Sequence, residues 1–245
     1  MNPVIAALDA AGNKAEGAAL RAVATAYGNV SLADLVALVQ LDLDKVSPRV
    51  RLAQLGRLMD TFDAAAAGIG TPPAALLSQA EGVILANVTA AADMLGSGAL
   101  IDAFRVPPKL QLEWAETTAE RMKLYWLTEN ERFRGEVQGT LVEGLTRGQG
   151  TDQVARNLQG RLGVSRSRAN LIARNELGNC AGYAMQESQK LAGVTHYIWQ
   201  ATSDSRTRPE HAARDGEVFA WDEPPYDGNP GFPVQCRCVA LAKLD

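Results

Sequence analysis

The sequence predicts an α+β protein that is predominantly α-helical. An N-terminal helical region covers residues 1–106, and a second domain over 107–245 holds a helical group (109–191) and a small C-terminal β/loop unit (194–245). Three observations carry this prediction. Apolar residues recur at three- and four-residue spacing as far as about residue 190, which is the spacing of one helix face. Ser, Thr and Pro stand at the breaks, where helix starts call for them. Past Gly193 the chain turns to β-branched and aromatic residues, and Pro, Gly and Asp become frequent, the marks of short strands joined by turns.

The elements follow in order. Ser31-Leu-Ala-Asp34 resembles a capping box, and Leu32, Leu35, Val36, Val39 and Leu43 then fall on one face, predicting a helix over 31–44. Ser47-Pro48 supplies an N-cap and a first-turn proline for a helix whose stripe is Leu55, Leu58, Met59 and Phe62 and which stops near Gly68. Thr71-Pro72 restarts the pattern toward Asp93, and Gly96-Ser-Gly98 with Pro107-Pro108 marks a hinge. Lys109 to Trp126 reads as an amphipathic helix, and Thr128-Glu-Asn-Glu131 as a capping box that opens another, ending by Gly148. Thr151-Asp-Gln-Val154 and Ser165-Arg-Ser-Arg168 open two more, the second reaching Leu191. Val194 to Trp199 is a strand, followed by loops from Asp204 to Pro233.

With 245 residues, 47% of them hydrophobic and 21% charged, the chain can bury a sizeable core. Its apolar stretches, such as Ala64 to Gly70 and Val83 to Ala92, are short and interrupted. A hydrocarbon layer is about 30 Å thick, so no membrane span is expected. Met1-Asn2-Pro3 lacks the basic cluster and apolar run of a secretory leader, which predicts synthesis in the cytoplasm. A net charge of −4 argues against general coating of nucleic acid. Three cysteines, an odd number, fit reduced thiols or metal ligands better than a disulfide framework.

Candidate sites concentrate toward the C-terminus. On the helix from Ser165 to Leu191, Ala169, Ile172, Ala173, Cys180, Ala184 and Leu191 share a face with Glu176 near its middle. A carboxylate there needs a partner. It is expected to fix the helix by an ion pair or hydrogen bond, the alternative being a catalytic acid or base, for which no second group lies nearby in sequence. Arg161, Arg166, Arg168 and Arg174 are candidates for contact with DNA phosphates, although their directions spread round the helix axis. Cys236-Arg237-Cys238 places two thiols on one side of an extended segment. With His211 they make three ligands suited to zinc, and Asp204, Asp215, Cys180 or a water is a candidate fourth. The competing reading has His211 bonded to a carboxylate or to the backbone and the cysteines as buried small hydrophobes. Arg206, Arg208 and Arg237 suit pairing with Asp204, Asp215 and Glu176. No phosphate-cradling loop and no setting for an activated thiol is visible.

The ordered series Gly144-Leu-Thr-Arg-Gly148, Ala169-Asn-Leu-Ile-Ala-Arg174-Asn-Glu176, Gly193-Val194, Trp199, Asp204-Ser-Arg206-Thr-Arg208, His211, Asp215-Gly216, Pro233 and Cys236-Arg237-Cys238 resembles the Mu F-like minor head, or head morphogenesis, proteins of tailed bacteriophages and prophages. The resemblance covers roughly residues 110–245. Asn175 departs from the threonine common at that point of the family's helix, keeping a small hydrogen-bonding side chain. The resemblance implies a low-copy structural component of the virion head, near the portal, made in the host cytoplasm and without enzymatic activity. The implied partners are the portal protein, the major capsid or scaffold protein, and packaged DNA, with no membrane and no small-molecule substrate. A part in DNA packaging or ejection goes with that placement. Structural roles are implied for Glu176, Arg206, Arg208, His211, Gly216, Cys236 and Cys238. Two other classes stand beside this one: a metal-dependent hydrolase or nuclease using His211, Asp215 and Glu176, and a DNA-binding module working through Arg161 to Arg174.

Overall fold

A computed structural model describes residues 3–33, 55–95, 106–149 and 151–244. The chain is α+β and predominantly helical. Its helices are α1 (Pro3–Gly28), α2 (Leu55–Ala66, followed by a 3-10 turn at Ala67–Ile69), α3 (Ala74–Met94), α4 (Pro108–Arg147) and α5 (Thr151–Leu191). Strand β1 (His196–Gln200), the one-turn helix α6 (Pro209–Ala213), β2 (Val218–Ala220) and β3 (Val239–Ala242) complete the described elements. Most of the helix expected over 31–44, the Ser47-Pro48 start and the hinge at Gly96-Ser-Gly98 lie outside the described residues.

The helical periodicity is borne out, and two of the expected breaks are not. Thr128 lies inside α4, where its Oγ1 donates to the Leu124 carbonyl at 3.0 Å. A hydroxyl that bonds four residues back satisfies itself without ending a helix. Ser165 lies inside α5, fully buried, with its Oγ 2.9 Å from the Tyr27 hydroxyl. Lys109–Trp126 and Thr128–Gly148 are therefore one 40-residue helix, and the two helices expected from Thr151 and Ser165 are one of 41 residues.

The chain divides into two compact units. One comprises Met1–Ala19, Ala74–Met122 and Ala173–Asp245; the other comprises Leu20–Pro73 and Lys123–Ile172. The expected boundary at 106/107 does not coincide with this division, because each unit draws on residues from both sides of it. In the Leu20–Pro73/Lys123–Ile172 unit, Phe62 meets Phe133 edge-on with ring centroids 5.3 Å apart. The buried indole of Trp126 donates to the Ile69 carbonyl at 2.9 Å, closing the 3-10 turn. Glu129, 5% exposed, is paired by Arg168 at 3.4 Å and Arg132 at 3.7 Å.

In the first unit the three-stranded sheet is antiparallel in the order β2-β1-β3. Alternation along β1 turns Tyr197 and Trp199 inward, both fully buried. They pack with Trp221, Ala240, Cys236, Cys238 and Met185, and with Leu8, Ala90 and Ala91 from α1 and α3. The stretch Leu55–Met94 holds an 18-residue window apolar enough, by length and composition, to cross a membrane, contrary to the expectation from shorter runs. Within it α3 buries Leu76, Ala80, Val83, Ile84, Val88 and Ala91, the use a core helix makes of such a face.

Close approach of backbones fixes α5 beneath the C-terminal loops. A Cβ on Gly182 would stand 2.7 Å from the Pro230 carbonyl oxygen, and one on Gly231 would stand 2.8 Å from the Gly182 Cα. Gly231 also has φ +89°, a conformation that favours glycine. Oriented so that both its atoms are satisfied, the Asn179 amide donates to the carbonyls of Gly231 and Phe232 at 3.1 and 3.2 Å.

Candidate functional site

The helix α6 exists to place one side chain. Arg208 is extended (φ −65°, ψ 146°) and Pro209 follows at the first helical position, where its missing N–H costs nothing. The single turn delivers His211, 2% exposed, edge-on to the Trp199 ring at 5.2 Å. Opposite, the Cys236 N–H donates to the Pro233 carbonyl at 2.8 Å in a tight turn. Gln235 in that turn has φ +57°, and its N–H donates to Asn175 Oδ1 on α5. Asn175 thus holds the turn that carries the cysteines.

The three residues expected to converge do so. His211 Nδ1 lies 3.5 Å from Cys236 Sγ and 3.4 Å from Cys238 Sγ, and the three candidate ligand atoms lie within 4.8 Å of one another. On its other side, His211 Nε2 is 3.1 Å from Asp227 Oδ2. Arg208 Nη1 also approaches Nε2, at 3.4 Å. The shorter contact is to a carboxylate, which only accepts, so Nε2 donates to it and Nδ1 is the ring nitrogen that faces the sulfurs. Arg214 holds Asp227 in turn, Nη1 to Oδ1 at 2.7 Å, and lies 5.0 Å over the Trp199 ring. Burial raises the Asp227 carboxyl, but hydrogen bonds from Arg214 and His211 outweigh it and hold the group below the usual carboxylate range.

The sulfurs are surrounded by donors. Cys236 Sγ accepts from the Gly231 N–H at 3.5 Å and from the Cys238 N–H at 3.4 Å. A hydrogen bond from Cys238, with those from the two backbone N–H groups, brings the Cys236 thiol down to about 6 despite its burial. Cys238, the donor of that bond, is correspondingly raised. The indole Nε1 of Trp199 is buried without a hydrogen-bond partner among the described residues, and Cys238 is the group whose ionisation it favours.

The other candidates are engaged elsewhere. Asp204 accepts from Arg237 Nη2 at 2.6 and 2.7 Å and pairs with Arg206 at 3.7 Å. Asp215 accepts from the Ala201 N–H at 2.8 Å and from Gln200 Nε2 at 3.0 Å. The Cys180 thiol faces the Ala80 carbonyl, and burial pushes it up to about 11. None of these candidate fourth ligands joins the His211–Cys236–Cys238 group; each is engaged with another partner. Glu176, 2% exposed, is bound by Arg121 Nε at 3.1 Å and not by the C-terminal arginines. Arg208 Nη2 donates to the Val234 carbonyl, tying α6 to the cysteine loop. Gly216 has φ +82° and donates to the Trp199 carbonyl, the turn that leads into β2.

His211, Asp215 and Glu176 are thus held by three separate sets of partners. Of the four candidate DNA-contacting arginines, Arg168 pairs with Glu129 and Glu136 and Arg174 with Glu16, while Arg161 and Arg166 lie exposed. Sequence reasoning missed Asp227, Arg214 and Arg121. Asp227 sits in a Pro/Gly-rich turn 16 positions from His211, and nothing local in the sequence distinguishes it from an ordinary turn aspartate. The Gly178/Gly182 spacing was a readable signal of close backbone approach.

Chemically, two thiols converging on one imidazole nitrogen are groups that could hold a soft metal ion. The three side chains border a cavity of about 620 Å³ within the same unit, lined also by Glu16, Arg174 and Arg206.

Residues 135–241 match the family described as Phage Mu protein F like protein. Two curated relatives resemble the chain. An uncharacterized protein of Haemophilus influenzae is 30% identical over 115 residues, covering 46% of this chain and 26% of the relative. The minor head protein GP7 of Bacillus phage SPP1 is 31% identical over 125 residues, covering 43% of this chain and 39% of the relative. The chain thus spans well under half the length of either. No solved structure matches it. The resemblance to Mu F-like proteins read from the ordered motifs is borne out over residues 135–241, a stretch that holds His211, Cys236 and Cys238 and all of the sheet but Ala242.

Proposed function

We propose that this chain is a minor head protein of a tailed phage or prophage, a structural part of the virion that acts with portal and shell or scaffold proteins in head assembly. The match of residues 135–241 to the Mu F-like family, with GP7 of phage SPP1 as a named head protein among the relatives, carries this reading. The polar chemistry of the matched stretch is consistent with a scaffold. Several of its carboxylates and guanidinium groups pair with one another, as in Asp204–Arg237 and Asp227–Arg214, while its Glu176 pairs with Arg121, which precedes the stretch; a buried polar group with a partner fixes loops in place.

The test is made on particles. Heads and precursor heads purified from cells carrying the encoding phage or prophage are analysed by mass spectrometry, and a deletion of the gene is scored for head formation. The proposal expects the chain in particles at far fewer copies than the main shell protein, and misshapen or sparse heads in the deletion. Particles that form normally and never contain the chain would sink it. Contact with packaged DNA is the finer part of the proposal. It expects retention on DNA that weakens as salt rises, with a loss when Arg161 and Arg166 are both changed to Ala.

A further inference from the structure

We propose that His211 Nδ1, Cys236 Sγ and Cys238 Sγ bind one zinc(II) ion, with Asp227 and Arg214 orienting the imidazole and a water from the adjoining cavity as fourth ligand. Distance is the first support. Zinc–sulfur bonds of about 2.3 Å and a zinc–nitrogen bond of about 2.0–2.1 Å at tetrahedral angles put nitrogen and sulfur roughly 3.5 Å apart. The separations here are 3.5 and 3.4 Å.

Orientation is the second. A metal-bound histidine ordinarily donates its other ring N–H to a carboxylate, which fixes the ring and strengthens the ligand nitrogen. His211 does so to Asp227 at 3.1 Å, and Asp227 is itself held by Arg214 at 2.7 Å. This arrangement directs Nδ1, the remaining ring nitrogen, at the two sulfurs.

Donors around the sulfurs are the third. Two backbone N–H groups point at Cys236 Sγ, and the buried Trp199 indole N–H has no acceptor among the described residues. Thiolates accept such bonds far better than thiols do, and burying thiolates requires a cation. A divalent ion balances two thiolates while Arg214 balances Asp227. Two thiolates and an imidazole favour zinc over the harder divalent ions.

The inference does not rest on the head-protein reading, and its test is separate. The full chain is purified after expression with added zinc, and its metal content is measured by elemental analysis beside C236S/C238S and C180S variants. The proposal expects one zinc per chain in the wild type and in C180S, and loss of it in the double variant. Should the double variant not fold, the wild type still decides. Chelation of the zinc should uncover two thiols to a thiol reagent, and cobalt(II) put in its place should give the absorption of a tetrahedral site with two sulfur ligands. Zinc held equally by a folded C236S/C238S chain would overturn the proposal. So would a folded wild type that retains none after exposure to excess zinc, or a wild type whose mass shows Cys236 and Cys238 joined as a disulfide.

Discussion

Asp204 is half in solvent, yet two hydrogen bonds from Arg237 hold its carboxyl well below the usual carboxylate range, aided by the Arg206 backbone N–H. A depressed folded-state value means that the pair's contribution is fully present above the unfolded pKa of about 4 and is lost as pH falls through the lower folded-state value. The melting temperature of wild type should therefore exceed that of Asp204→Asn at neutral pH, and the gap should shrink progressively below about pH 4. Glu176 offers a second test. Arg121→Ala leaves its buried carboxylate without a cation and should cost about 1–3 kcal/mol in urea unfolding, while Glu176→Gln in that background should recover part of the loss. Much of this scale was legible. The Cys-x-Cys spacing declared that both sulfurs face one side, and the core-facing position of Glu176 declared that it needs a partner. The identities of Arg121 and Asp227 were not legible, because their distance along the chain from Glu176 and His211 is bridged only by packing.

At the scale of elements, the helix period was sufficient to find α4 and α5, and capping patterns were insufficient to bound them. Thr128 and Ser165 satisfy their hydroxyls inside continuing helices, so a Ser or Thr with the right neighbours marks a start only where tertiary contacts let the helix end. The contact of α5 with the 230–232 turn gives a paired prediction. Gly182→Ala places a Cβ 2.7 Å from a backbone oxygen and should destabilise by roughly 1–3 kcal/mol through overpacking. At Gly178 the nearest atom to an added Cβ is the Cys236 carbonyl oxygen at 3.5 Å, an ordinary contact. Gly178→Ala should be neutral or stabilising by up to about 1 kcal/mol through helix propensity. Chemical denaturation of the two variants separates the outcomes, and equal losses would mean that the close approach is not what matters at Gly182.

For the whole molecule, the decisive fact is that the unit holding the cysteine–histidine group is assembled from three separated segments. Leu8 of α1 and Ala90 and Ala91 of α3 share a core with Trp199, Cys236 and Ala240, although α1 and α3 precede the Mu F-like stretch. Residues 107–245 produced alone should expose that face. Expected are a broad, weakly cooperative thermal transition and binding of a hydrophobic dye, against a sharper transition and little dye binding for the full chain. A fragment that melts as sharply as the full chain would show that the N-terminal helices contribute little to this core.

By itself the sequence determined the helical character, the switch to strands and turns after Gly193, the Mu F-like motif order, and the three residues that could hold a soft metal ion. These follow from local rules: side-chain period, the backbone preferences of Gly and Pro, and the alternation of an extended chain. Only the tertiary structure decided where the long helices end, which segments make up each unit, and which partner each buried charge takes. Those outcomes depend on satisfying every buried polar group at once, and the nearest available donor or acceptor is set by how distant segments pack rather than by their order along the chain.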